Sequence, residues 1–364
     1  MKISDITSAL EDFAHPGYQE DYDNSGLITG VGSWEAKGAL LSLDCTEEVI
    51  EEAIASGCNL VVAHHPILFG GIKRINASNY VERAIIKAIK NDVAIYACHT
   101  NIDNVKNGVN KKIAEKLGLL NLKILLPKKG LLKKLVTYVP ASHHQAVLDA
   151  MFDAGAGHIG NYDNCSFNLA GTGTFKGGEG SNPFIGKTGE LSREEEIRIE
   201  TIFEGVKEKR ILKALIQAHP YEEVAFDVYG LDNTLHSVGS GILGELPEQM
   251  DENAFLSHVK ITLKAGVLRH TQRTGKPVKK VALCGGSGRF LLKHAIAVGA
   301  DAYITADFKY HEFFDADGRI LLVDAGHFET EQFTPEIFLE IINKKFPTFA
   351  IRLSKINTNP VNYF

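Results

Sequence analysis

A chain of 364 residues has room for roughly two or three domains. Its apolar fraction of 44%, charged fraction of 23% and net charge of −6 are those of an ordinary globular protein and argue against a nucleic-acid-binding surface. No apolar run reaches the ~18–20 residues of a membrane span, and Met1-Lys2-Ile3-Ser4-Asp5 lacks the apolar stretch of a secretory signal.

Ile3, Ile6, Leu10 and Phe13 fall at helical spacing, and His15-Pro16-Gly17 ends the run. Tyr22-Asp23-Asn24-Ser25-Gly26-Leu27 is a turn leading into a short strand. Ala39 to Leu43 reads as a strand. Thr46 is a good N-cap for a helix that stops at Gly57. Leu60 to Ala63 is the next strand, and it ends in His64-His65-Pro66. A helix is expected over Asn79 to Lys90. The strand Val93 to Ala97 follows and ends in Cys98-His99-Thr100-Asn101-Ile102-Asp103. Strand–helix–strand alternation predicts βαβ units and a largely parallel sheet.

From about Pro127 to Leu231 the pattern changes to β-α-β-β-α-β, the ferredoxin-like order. Its elements are Leu135 to Val139, Ser142 to Ala154, a Gly-rich segment through Gly180, Arg198 to Phe203, Glu204 to Ala218 and Val224 to Tyr229. His219-Pro220-Tyr221-Glu222-Glu223 inside it reads as a structural turn, with a second site as the alternative. The βαβ grammar then returns: Lys280 to Leu283, a tight turn at Gly285-Gly286-Ser287-Gly288, a helix over Phe290 to Val298, and strands Ala302 to Thr305 and Arg319 to Val323. The turn is either plain or an anion nest of backbone N–H groups. Ser56 to His65 aligns without gaps on Val298 to Asp307, and the following strands end in His99 to Asp103 and His327 to Glu331. The expected architecture is α/β: two pseudo-repeated βαβ halves (1–127 and 232–364) forming one mixed domain, with an inserted ferredoxin-like α+β domain over 128–231.

A strand's C-terminal end is where α/β sheets place their sites. His64, His65, His99, Asp103, Asp307, His311, His327 and Glu331 all fall at such ends. Imidazole and carboxylate without thiolate suit Zn, Fe, Mn, Co or Ni. Neighbouring residues of an extended chain face apart, so His64 and His65 are placed to serve two ions better than one. His327 and Glu331, four apart, share a face if a helix starts after Gly326. Asp307 either orients a histidine or caps a strand end. Cys45, Cys58, Cys98, Cys165 and Cys284 are scattered and form no Cys-x-x-Cys. They are expected to be free core thiols of a cytoplasmic protein.

In their order along the chain, His64-His65-Pro66, His99-Thr100-Asn101-Ile102-Asp103 and Gly326-His327-Phe328-Glu329-Thr330-Glu331 resemble the Nif-three-like dinuclear-metal family, whose members are often labelled GTP cyclohydrolase 1 type 2 homologues. Asp23-Asn24-Ser25-Gly26-Leu27 and Gly285-Gly286-Ser287-Gly288 match further signatures of that family, while Tyr22 stands where it commonly has Trp. The insert resembles the PII- or CutA-like domain of its longer members. The resemblance implies two divalent metal ions per chain, held by His64, His65, Asp103, His327 and Glu331 with Glu331 bridging. His99 and His311 are expected to orient ligands or transfer protons. It also implies a homohexameric ring. The implied chemistry is hydrolysis by metal-activated water of a nucleotide or phosphoester substrate, GTP cyclohydrolase-like or phosphoesterase. The alternative is a non-enzymatic metal-binding or regulatory ring.

Overall fold

A computed structural model describes residues 1–364. The chain divides into two compact units. One joins Met1–Pro127 to His236–Phe364, and the other is Lys128–Leu235.

The first unit is a mixed α/β body with two sheets. The first sheet runs Gly26–Thr29, Ala94–Ala97, Leu60–Ala63, Ala39–Ser42, Ile351–Leu353. All of these pairings are parallel except that of Gly26–Thr29. The second runs Arg269–His270, Leu321–Asp324, Ala302–Ala306, Val278–Ser287, Thr234–Met250, Leu120–Lys129. Its three middle strands, Leu321–Asp324, Ala302–Ala306 and Val278–Ser287, are parallel. Parallel strands covered on both faces read as continuous apolar runs, and Leu60, Val61, Val62 and Ala63 are all fully buried. Leu41, Val62 and Tyr96 of the first sheet share one core with Val281, Ile304 and Val323 of the second. Burying each such Val or Leu contributes about 1.5–3 kcal/mol.

Local chemistry sets the helix starts. Helix Ile3–Phe13 buries Ile3, Ile6, Ala9 and Leu10 on one stripe. The Thr46 side chain accepts from the Val49 N–H to open Glu47–Ala55, and Asn79 accepts from the Glu82 N–H to open Tyr80–Lys90. No helix is long and apolar enough to cross a membrane.

Gly285 to Gly288 is not the tight turn expected. The strand runs on to Ser287, which pairs with Ala306 after a register shift. The glycines are needed because side chains crowd that strand end. A Cβ on Gly288 would lie 2.4 Å from the Tyr303 hydroxyl oxygen.

The second unit holds a four-stranded antiparallel sheet ordered Ser166–Lys176, Leu191–Glu204, Leu132–Pro140, Phe226–Leu231. Helices His144–Asp153 and Glu208–Ala218 pack on it through Val147, Leu148, Met151, Ile211 and Leu215. The strand expected at Arg198 to Phe203 begins at Leu191, and part of the Gly-rich segment before Gly180, Ser166–Lys176, is itself strand. These two form a long hairpin, from Ser166 opposite Thr201 to Lys176 opposite Leu191.

Candidate metal centre

Four histidines and two carboxylates converge at the C-terminal ends of the parallel strands of the first unit. His64 and His65 follow Leu60–Ala63, and His99 follows Ala94–Ala97. Asp103 lies in the short helix Thr100–Asn104. His327 and Glu331 open and close the helix His327–Glu331. Their ligand atoms fall into three overlapping groups, each within 4.8 Å: His64, His65 and His99; His65, His327 and Glu331; His64, Asp103 and Glu331.

Each imidazole is held at Nδ1 by a different acceptor. His64 Nδ1 donates to the Cys98 carbonyl at 2.9 Å, which leaves Nε2 with a bare lone pair. His65 Nδ1 lies 2.7 Å from Asp44 Oδ1, and Asp44 accepts from the Thr358 hydroxyl on its other oxygen. His327 Nδ1 meets Asp307 Oδ2 at 2.6 Å, so Asp307 orients a histidine. His99 Nδ1 meets Asp23 Oδ1 at 2.7 Å. Asp23 also accepts from the backbone N–H and hydroxyl of Thr100 and from Ser25. Carboxylate and carbonyl partners at Nδ1 fix ring orientation and raise the basicity of Nε2.

The Nε2 atoms crowd one carboxylate oxygen. Glu331 Oε2 is 2.9 Å from His65, 3.1 Å from His327 and 3.7 Å from His64. His64 Nε2 and Asp103 Oδ1, 3.7 Å apart, are buried and have no hydrogen-bond partner. Leaving two buried polar atoms unsatisfied costs roughly 1–3 kcal/mol each. A cation between them would satisfy both, so the donor set fits a metal ion.

Electrostatics divide the imidazoles. Burial pushes His64 down to about 4, so it is neutral at pH 7. Burial also opposes charge on His65, but Asp44 and Glu331 outweigh it and raise the group to about 9. For His327, Glu331 and Asp307 likewise outweigh burial and raise it to about 11. Burial and the nearby Glu331 push Asp103 up. Glu331 is held well down: burial opposes its charge, but His327, His64 and His65 outweigh burial.

Metal binding needs neutral imidazole and so competes with protons. With His65 and His327 protonated in the metal-free protein and Asp103 pushed up, loading at pH 7 should release at least about two protons per chain. Calorimetry in two buffers of different ionisation enthalpy reads this number, and no release would contradict histidine ligation. The sign for stability is the reverse. Stabilisation of the metal-free fold by charged His65 is complete below its unfolded value of roughly 6.5 and is lost as pH rises through about 9.

Other residues fall differently. His311 is exposed, with its ring against Tyr310 and Phe314, and belongs to none of the three groups. The first glycines of the 285–288 run are no anion nest, because the Gly285 N–H donates to Asn110 and the Gly286 N–H to Thr330. Asp44 was missed as a partner of the centre. It lies just past the strand Ala39–Ser42, so its place at a strand end was the available signal.

The chain matches the Duf34/NIF3 (NGG1p interacting factor 3) family model over residues 1–360. It is 41% identical over 374 aligned residues to a Halalkalibacterium halodurans protein named GTP cyclohydrolase 1 type 2 homolog, covering 100% of both chains. A Bacillus subtilis protein of the same name is 38% identical over 98% of this chain and 97% of its own. The crystal structure of a Bacillus cereus protein related to NIF3 superposes with a TM-score of 0.87 at 39% identity, covering 100% of this chain and 99% of the other. The chain belongs to the Duf34/NIF3 family.

Proposed function

We propose that the centre holds two divalent metal ions and supports hydrolysis of a nucleotide or phosphoester. The observation that carries this reading is the sharing of Glu331. His65, His327 and Glu331 form one ligand group, His64, Asp103 and Glu331 another, and the carboxylate is the one residue common to both. Each group has three donors, which leaves coordination positions for water and substrate. Ions held by these groups would supply Lewis acidity and a nucleophilic water at neutral pH. The chain's own residues bind and orient. Asp44, Asp307 and the Cys98 carbonyl hold the rings. His99, held by Asp23, is the group placed to move a proton at Nε2. The names of the relatives make opening of the guanine ring of GTP one candidate reaction, and phosphoester hydrolysis is served equally well by the same donors.

The test is elemental analysis of protein purified without chelator, followed by turnover on a panel of nucleotides and phosphoesters. Two metal equivalents and turnover lost on removing them are expected. Tight metal with no turnover across the panel would favour a non-enzymatic metal-binding ring.

The order of the second unit's sheet supports an inserted ferredoxin-like domain. The matching strand-end ligands of the two sheets support diverged βαβ halves. We place the protein in the cytoplasm, as a homohexameric ring. No proposed ligand lies in the second unit, and the strands leading into and out of it are hydrogen-bonded neighbours. Excising 128–235 with a short Gly/Ser closure should therefore leave folded, metal-loaded protein. A folded deletion protein without metal, by circular dichroism and elemental analysis, would show that the insert supports the centre.

A further inference from the structure

The second unit contains a cavity of about 950 Å³ lined within that unit alone. Its wall is aromatic. The Tyr221 ring lies 5.9 Å from Phe175 and 6.3 Å from Phe184, centroid to centroid, and Tyr138 also lines the space. Against this wall lies Glu196, 9% exposed. Glu196 Oε1 accepts from the Tyr221 hydroxyl at 2.9 Å, and no side chain or backbone group donates to Oε2. Gly173 makes room for this carboxylate, since a Cβ there would lie 2.0 Å from Oε2. Four carboxylates, Glu179, Glu196, Glu222 and Glu223, line the cavity against two cations, Lys176 and Arg198. Arg198 is already paired with Glu200 at 2.9 Å, outside the lining. Lysine and arginine sit over rings at Phe333 and Phe313, not at Phe175, Phe184 or Tyr221.

We propose that this cavity binds a small organic ammonium ion, with Glu196 as its counter-charge and Tyr221, Phe175 and Phe184 as its wall. A cation over an aromatic face is attracted by the ring quadrupole, and the attraction grows where water is excluded. Glu196 has no cationic partner in the lining, and an ammonium group would supply one through a charge-assisted hydrogen bond to Oε2. A bare divalent ion fits less well, because Ca²⁺ takes 6–8 oxygen ligands and Mg²⁺ six, while Glu196 is the one buried carboxylate in the lining. The excess of acids also disfavours a phosphorylated ligand. The acid, the ring and the glycine lie on separate strands and a turn: Leu191–Glu204, the segment after His219, and Ser166–Lys176.

The test uses the full chain and a matched pair of probes, choline and its uncharged isostere 3,3-dimethylbutan-1-ol, with putrescine as a primary diamine. Binding is followed by calorimetry and by saturation-transfer NMR. Choline or putrescine should bind, and the neutral isostere should bind at least about tenfold more weakly. Glu196→Gln keeps the shape and an acceptor for Tyr221 but removes the charge, and should weaken the cations about tenfold or more without changing the isostere. Phe184→Ala changes an exposed ring and should weaken cation binding several-fold, so it serves if Glu196→Gln fails to fold. Metal content should be unchanged in both variants, which separates this site from the centre in the first unit. Equal binding of choline and its isostere, no binding of either cation, or full affinity in both folded variants would each overturn the proposal.

Discussion

Replacing Asp103 by asparagine should strip the chain of metal and at the same time make the metal-free protein harder to unfold. Asp103 Oδ1 is buried with no hydrogen-bond partner, and burial and Glu331 raise the group's pKa. A carboxyl whose folded pKa exceeds its unfolded value costs stability once it must ionise. The neutral amide removes that cost, so the metal-free variant should gain about 1–3 kcal/mol at pH 7. The gain should shrink as pH falls and vanish below about 4, where the unfolded carboxyl is protonated too. Metal affinity should fall at least about 100-fold, since an anionic donor is lost where even a supporting residue commonly costs 10–100-fold. Denaturant melts of metal-free protein across pH, beside elemental analysis, read both halves. A variant less stable than its parent that keeps its metal would mean that Asp103 is a structural carboxylate.

The second large effect is expected from one methyl group. Gly286 has φ +58°, and a Cβ there would lie 2.3 Å from Glu331 Oε1 and 3.1 Å from His327 Nε2. The backbone cannot retreat readily, because the Gly286 N–H donates to Thr330 at 3.0 Å and its carbonyl accepts from Thr305 at 2.9 Å. Glu331 must therefore move, and with it the oxygen that three imidazoles face. Gly286→Ala should lose metal binding and about 1–2 kcal/mol or more of stability, the lower part from the left-handed backbone alone. Gly299→Ala is the control, with φ +70° and open space around its Cβ. It should pay the backbone cost and keep its metal. Full metal content in Gly286→Ala would show that Glu331 is not fixed where the geometry puts it.

Much of the βαβ grammar was legible because its signals are local. Ile3–Phe13 appears at its apolar spacing, Thr46 caps the helix it was read to cap, the helix read from Asn79 runs over Tyr80–Lys90 with Asn79 as its cap, and Leu60–Ala63 is a short buried strand. The elements that were missed lack such signals. In Ser166–Lys176 most residues are exposed, so apolar and polar positions do not alternate along it. Thr234–Met250 changes its burial along its length and carries Gly239, Gly241 and Gly244, so it does not read as a single strand. At the centre, the residue types and strand ends marked His64, His65, His99, Asp103, His327 and Glu331. Asp44 stood at a strand end and Asp23 in a turn, but which histidine each holds is set by the fold. His311 shares the strand-end position but is exposed and outside the cluster, because the segment after Ala306 turns away into the 3₁₀ run Tyr310–Ala316.

The contact between His65 and Glu331 spans 266 residues, and that between Asp44 and Thr358 spans 314. At about 5–20 residues per second of synthesis, the two ends of the centre leave the ribosome roughly 15–50 seconds apart. A nascent chain therefore presents His64, His65, His99 and Asp103 long before His327 and Glu331 exist. Half a set of ligands is a weak and indiscriminate trap, whereas the finished pocket has fixed spacing. An ion taken at the proposed centre would therefore be chosen by the completed chain, after translation, against whatever pool of free metal the cell then maintains.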